Sequence, residues 1–426
     1  MYTLIRENLP FGRAGQGRSR EHGFRPVAPA VLLLGVTSLI TDISSEMVST
    51  VLPLYFIYFI SLTPLQFGII DGLYQGFSAP LRIVGAILAD RLGRHKEVAT
   101  VGYAISAVCK LGILMAGSAW LLFTGILLID RAGKGLRTSP RDALISLNSP
   151  KASLGFAFGV HRALDTAGAM LGPLLAFFLL EISPGSFKSI FFISFCIALV
   201  GVSVITLFVR NKEPAEDRRR VDAPPLKEAL RLLARPDLLK LVVIAGALAL
   251  FTISDGFLYL VLQRRLEFEL GFFPLLYVGT ACVYMLLAIP VGRLADSVGR
   301  GKVMVGGYVA LLLVYTTLLR QPGGPAEVGV YLVLFGAYYA ATDGVLMAMA
   351  SSRLSEEVRA SGFALLTTTT NLCRFGGSIL FGALWTWKGA DNATAVLLCG
   401  LLVATIAAVI FLSGEKRESD VNASPV

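Results

Sequence analysis

Apolar residues in this chain neither alternate nor follow an amphipathic stripe. They come in blocks of about 20 or more, separated by short polar stretches. Twelve blocks stand out, at 29–58, 65–89, 97–116, 119–138, 154–180, 189–209, 239–262, 273–293, 303–320, 327–350, 361–386 and 393–413. They are numbered below as spans 1 to 12. Lipid offers no partner to a free backbone N–H or C=O, so every span is predicted to be helical. The pattern predicts an all-α polytopic membrane protein with twelve transmembrane helices in two six-helix halves. The expected organisation is an N-terminal tail (1–28), a first half (29–209), a polar linker (210–238), a second half (239–413) and a C-terminal tail (414–426).

Composition agrees with this picture. The chain is 55% hydrophobic and 16% charged over 426 residues, with a mean hydropathy of +0.69. About a quarter charged is usual for a soluble chain. The five cysteines, Cys109, Cys196, Cys282, Cys373 and Cys399, sit in apolar runs without metal-ligand spacing and are expected to pack as free thiols. The first 28 residues carry Arg6, Arg13, Arg18, Arg20 and Arg25. A basic start before an apolar run can mimic a signal peptide, but the run continues to about Thr63, too long for a cleaved segment.

Charge in the loops sets the expected orientation. One set of alternate loops carries only Lys188, Arg264, Arg265, Arg320 and Lys388 among the 38 lysines and arginines, whereas the tails, the linker and the other loops hold most of them. The excess predicts both termini on the cytoplasmic side of a plasma (inner) membrane. In the linker, "LKEALRLLA" sets Leu226, Leu230 and Leu233 against Lys227 and Arg231, which predicts a short helix lying on the inner surface.

The two halves echo each other. "LADRLGRHK" (88–96) follows span 2 and "LADSVGRGK" (294–302) follows span 8, so Asp90, Gly93, Arg94 and Lys96 match Asp296, Gly299, Arg300 and Lys302. "GFA" opens spans 5 and 11, and "ISSE" ending at Glu46 in span 1 matches "TISD" ending at Asp255 in span 7. A parallel repeat of two six-helix halves is a transporter architecture. On these residues the chain resembles the major facilitator superfamily over essentially its full length. That family's signature between spans 2 and 3 is G-x-L-A-D-R-x-G-R-[RK]; here Ala86 takes the first glycine place and His95 precedes Lys96, while Ser297 replaces the arginine in the second copy. The resemblance implies that Asp90, Arg91, Gly93, Arg94, Asp296, Gly299 and Arg300 gate the inner face. Glycine there permits a tight turn, and a carboxylate can cap a neighbouring helix or bind arginines in one state only.

Eleven ionisable residues sit well inside the spans: Asp42, Glu46, Lys110, Asp130, Arg131, Lys134, Arg162, Asp165, Asp255, Asp343 and Arg374. At about 3 kcal/mol each, exposing them to lipid would cost roughly 30 kcal/mol, beyond what any fold holds in reserve. They are expected to face one another or a watery cavity. Asp42 and Glu46 are i, i+4 on span 1; Asp130, Lys134 and Arg137 share a face of span 4; His161 and Asp165 share one of span 5. Two acids four apart without a neighbouring base repel, which suits a proton carrier. Arg162 and Asp165 have the spacing of an intrahelical pair, and Lys110 and Arg374 are candidate partners of acids. Asp71 and Arg82 lie nearer the ends of span 2 and are expected to be solvated or snorkelling.

In the resembled fold spans 1, 4, 7 and 10 line the central cavity, so the resemblance places Glu46, Arg131, Asp255 and Asp343 there. "DRAGKG" in span 4 resembles the family motif R-x-x-Q-G, with Arg131 and Gly135 in place and Lys134 where glutamine is usual. In related drug–proton antiporters that arginine is linked to proton transfer. "GAMLGPLL" (168–175) resembles the antiporter motif G-x-x-x-G-P through Gly168, Gly172 and Pro173. Small residues four apart also simply allow close helix packing.

These observations predict a proton-coupled secondary transporter of a small solute that leans towards export, with proton-coupled uptake of an organic anion or metabolite as the alternative. A polytopic membrane enzyme or a ligand sensor would be of another class. HExxH and GxSxG are absent, and "GKGLRT" is not a phosphate loop. No cofactor, metal or nucleic acid is expected; the expected partners are the solute, protons and membrane lipid, with the protein a monomer.

Overall fold

The computed structural model describes residues 28–150, 153–210, 236–320, 324–354 and 359–412. The tails and the amphipathic stretch of the linker lie outside them. All twelve spans are helical, and no strand occurs among the described residues. Nine helices there are long and apolar enough to cross a membrane. Spans 2, 4 and 11 miss that measure for visible reasons. Span 2 is broken at Phe77 into Pro64–Gly76 and Ser78–Leu92, span 4 (Trp120–Leu147) carries the charges, and span 11 (Arg359–Lys388) carries four consecutive threonines and Arg374. Large apolar side chains on the outer surface, such as Met115, Ile182 and Leu286, are at least three-quarters exposed. Water would not tolerate so many, whereas a lipid jacket does.

Spans 1 and 7 are both interrupted, span 7 just before Asp255 and span 1 just after Ser49. Span 1 runs as Pro29–Ser49, then Leu52–Leu54 and a π-helical turn over Tyr55–Phe59. Span 7 runs as Pro236–Leu250 and Asp255–Leu266. Its break is tied down by Tyr315 of span 9, whose hydroxyl accepts from the Ile253 N–H at 2.7 Å and donates to the Phe251 carbonyl at 3.1 Å. These two bonds satisfy backbone groups that the break would leave unpaired in lipid.

Contacts between the halves concentrate towards one end. Tyr58 donates to Gln263 at 2.7 Å, the Leu65 N–H donates to Thr386 Oγ1 at 3.1 Å, and Ser378 donates to Asp71 at 2.8 Å. Phe67 of span 2 meets Phe257 of span 7 edge-on, with centroids 4.7 Å apart, and Phe257 meets Phe381 of span 11 at 4.9 Å. Spans 2 and 11 touch backbone to backbone: a Cβ added at Gly68 would stand 2.4 Å from the Ser378 carbonyl oxygen, and one at Gly382 2.4 Å from that of Pro64. The opposite end carries the repeated loops. Gly93 and Gly299 turn there at φ +64° and +113°, backbone that favours glycine. The side chain of Asp90 is 70% exposed. Among the described residues the two halves therefore close over the end bearing Tyr58 and Gln263 and stand open at the end bearing Asp90.

Candidate functional site

Span 4 is the centre of the charge arrangement. Its cations at 134, 137 and 141 advance three and four residues at a time, so they lie along one face. That face runs antiparallel to span 1. Lys134 Nζ stands 3.7 Å from Glu46, Arg137 is 3.7 Å from Asp42, and Arg141 donates to Ser38 at 3.1 Å. Arg141 continues the ladder to Asp165 of span 5 at 3.6 Å and also pairs with Asp142 at 3.0 Å. Ser38 reaches His161 at 3.0 Å. Arg162 and Asp165 make the intrahelical pair their spacing predicts, at 3.6 Å.

A second layer lies behind the ladder. Asp130 points into span 3, where Lys110 Nζ donates to it at 2.8 Å, with both side chains under 5% exposed. Arg131 donates to the other oxygen of Asp130 at 3.2 Å and covers the ring of Tyr74 in span 2 at 3.9 Å. Arg137 similarly covers the Tyr103 ring at 4.4 Å. These contacts answer the cost of burying so many charges: each cation meets a carboxylate, a ring face or both.

A cavity of about 260 Å³ between the halves is walled by Glu46, Asp255 and Asp343 together with Tyr259, Tyr277, Tyr284 and Tyr339. Tyr339 donates to Asp255 at 2.5 Å, and Ser49 donates to Glu46 at 2.8 Å. A neighbouring cavity shares Glu46, Asp255 and Tyr339 and extends to Asp71 and Tyr74. Arg374 of span 11 is within electrostatic reach of Asp343, and its buried Nε has no hydrogen-bond partner.

Three expectations need correcting. Glu46, Asp255 and Asp343 share one cavity, but Arg131 is only 8% exposed, does not line it, and packs over the ring of Tyr74, which lines the neighbouring cavity. The span 1 acids are not without bases; span 4 supplies one to each. Asp71 is not at a solvated helix end. It lies between the halves and accepts from Ser378 and, at 3.0 Å, from Gln75.

The loop residues are placed in two ways. Asp90 lies 3.8 Å from His95, and Arg91 and Arg94 are exposed. Asp296 pairs with Arg300 at 3.5 Å, and Arg300 donates to the Ala348 carbonyl at 3.1 Å. Gly168 and Gly172 lie against span 1: an added Cβ would come within 2.5 Å of the Leu39 carbonyl oxygen and 2.8 Å of that of Ile43. Pro173, in the same helix, lines the cavity. Reading the sequence alone misses Arg141, Tyr74, Tyr339 and the cross-half role of Asp71. Arg141 was findable, since it prolongs the span 4 charge face by one turn. The tyrosines carry no sequence signal that separates them from core packing.

The Major Facilitator Superfamily model matches residues 34–378 and 267–425. An uncharacterised MFS-type transporter of Methanocaldococcus jannaschii is 30% identical over 400 residues, covering 91% of this chain and 95% of that protein. The multi-drug resistance efflux pump PmrA of Streptococcus pneumoniae is 25% identical over 260 residues, covering 59% and 62%. The crystal structure of the nucleoside transporter NupG superposes with a TM-score of 0.75 at 14% identity, covering 91% of this chain and all of that one. The repeated loop signature, the twelve helices in two halves and these matches agree: the chain belongs to the major facilitator superfamily and is a multi-pass membrane transporter, not an enzyme.

Proposed function

We propose that this protein is a proton-coupled secondary transporter that exports a small solute across the plasma (inner) membrane, with both termini cytoplasmic. The observation that carries the reading is the position of Glu46. It belongs to the cavity wall and to the charge ladder at once. An ionised Glu46 attracts Lys134; a proton on Glu46 removes that attraction and leaves the lysine to its other neighbours. A group exposed to the cavity that changes the packing of spans 1 and 4 can link occupancy to movement of the halves. Asp42 and Arg137 form the next rung, and Asp130 and Arg131 hold span 4 against spans 2 and 3.

With the Lys- and Arg-rich loops inside, the open end bearing Asp90 faces the cytoplasm. Loading from inside and release outside then require the 90–96 and 296–302 loops to close. Asp90, Arg91, Gly93 and Arg94 would dock on the second half, and Asp296, Gly299 and Arg300 on the first. Export is favoured over uptake by the antiporter-like Gly168, Gly172 and Pro173 and by the similarity to an efflux pump.

The test is flux in proteoliposomes with an imposed pH gradient. A pH-sensitive dye inside the vesicles reads proton movement as a library of solutes is offered one by one. At least one solute should move protons with the wild-type protein. Glu46→Gln should abolish that movement while equilibrium binding of the same solute persists. Arg131→Ala should lose coupling more than it loses expression. Solute flux indifferent both to the gradient and to Glu46→Gln would refute the reading.

A further inference from the structure

Another cavity, of about 380 Å³, lies between spans 8 and 10 and meets the central cavity only at Tyr284. One part of its wall is apolar and built from small residues. Ala288 and Gly292 come from span 8, and Ala340, Gly344 and Ala348 from span 10. A Cβ added at Gly292 or Gly344 would meet nothing within 4 Å, so this part is an open groove. The other part is charged, with Arg293, Asp296 and Arg300. Arg300 is engaged by Asp296 at 3.5 Å and by the Ala348 carbonyl at 3.1 Å. Arg293 is exposed and makes no ion pair or hydrogen bond among the described residues.

The groove opens sideways to the bilayer. Ile289 and Arg293 follow Leu286 at i+3 and i+7, so the three share a face of span 8. Leu286 and Ile289 are 75% and 66% exposed, as apolar side chains against lipid are. Arg293 lies seven residues beyond Leu286, about 10 Å along the helix towards the end with the repeated loops. That is the step from acyl chains to headgroups. Among the described residues that end of spans 8 to 10 carries Arg293, Arg300, Lys302 and Arg353 against Asp296. A basic pocket between helices at the cytoplasmic side suits an anionic headgroup.

We propose that this cavity is a binding site for an anionic phospholipid of the inner leaflet. The headgroup phosphate lies at Arg293 and Arg300, and an acyl chain fills the groove between spans 8 and 10. Asp296 opposes the phosphate beside Arg300, so Arg293, which has no carboxylate of its own, carries the larger share of the attraction. The chain gains by burying apolar surface against Ala288, Gly344 and Val345. The site is separate from the central cavity and does not depend on what that cavity carries. It takes from the reading above only that this end faces the cytoplasm.

Native mass spectrometry of the purified full-length protein, stripped of lipid in detergent, tests it without any transport, so failure here and failure of coupled flux are separate results. The probes are phosphatidylglycerol and phosphatidylcholine with the same chains. Phosphatidylglycerol should bind at least fivefold more tightly. Arg293→Ser should weaken its binding at least threefold. Arg210→Ser removes an exposed cation just after span 6 and should leave the binding unchanged. Gly344→Phe fills the groove without altering a charge and should also weaken binding at least threefold. Arg293 is exposed, so Arg293→Ser decides the matter should Gly344→Phe fail to purify. Glycerol phosphate, which has the headgroup charge without the chains, should compete at least a hundredfold more weakly than the whole lipid. Equal binding of the two lipids, the same loss in Arg210→Ser as in Arg293→Ser, an unchanged Kd in Arg293→Ser, or equal competition by glycerol phosphate would overturn the proposal.

Discussion

The hydrogen bond from Ser378 to Asp71 joins the two halves near the middle of their contact, and removing it should open them. Ser378 is 1% exposed, and its hydroxyl lies 2.8 Å from the Asp71 carboxylate. Ser378→Ala deletes the donor and nothing else of comparable size, leaving Asp71 with Gln75 on its own helix. A buried hydrogen bond contributes about 0.5–1.5 kcal/mol net, so the closed arrangement should lose roughly two- to tenfold in population relative to the one open at the Tyr58 end. The backbone contacts of Gly68 and Gly382 persist in the variant, so the shift should be an equilibrium and not a collapse. Spin labels at Phe59 and Phe272, both exposed near that end, would read it. Double electron–electron resonance should show a longer-distance population growing in Ser378→Ala. Identical distance distributions in wild type and variant would refute the claim that this bond holds the halves together.

Two further outcomes follow from the same contacts. Lys110→Met should cost about 3–5 kcal/mol of stability by leaving Asp130 short of its closest cation in a buried site, whereas Lys110→Met with Asp130→Asn should recover much of it. Thermal unfolding in detergent measures both, and a double variant no better than the single one would argue against the pair. Gly72→Val should prevent closure, because even its Cβ would stand 2.4 Å from the Phe375 ring and 3.1 Å from the Phe375 Cα; transport should fall while membrane insertion is unchanged, as read by flux and by the yield of folded protein.

The sequence alone determined a good deal. Twelve apolar blocks dictate twelve helices, because lipid leaves the backbone no other partner. The doubled loop signature at 90–96 and 296–302 and the family motifs identify the superfamily. The cost of stray charge in lipid requires Asp42, Glu46, Asp130 and the rest to find partners, and helical spacing already puts Lys134 and Arg137 on one face. What spacing cannot supply is the partner. Whether Asp42 and Glu46 repel each other or are neutralised depends on which helix lies against span 1, and only the antiparallel packing of span 4 settles that. Arg131 carries a motif match in the sequence yet packs over Tyr74 and does not line the central cavity, because a residue's direction is fixed by the rotation of its helix against its neighbours and not by its neighbours in sequence. Asp71 reads as a helix-end acid until span 11 is packed against span 2 through glycines, which brings Ser378 to it. The cavity wall is the extreme case. Its tyrosines come from spans 7, 8 and 10 and its acids from spans 1, 7 and 10, so their common chemistry exists only once those second-half helices pack together and span 1 faces them.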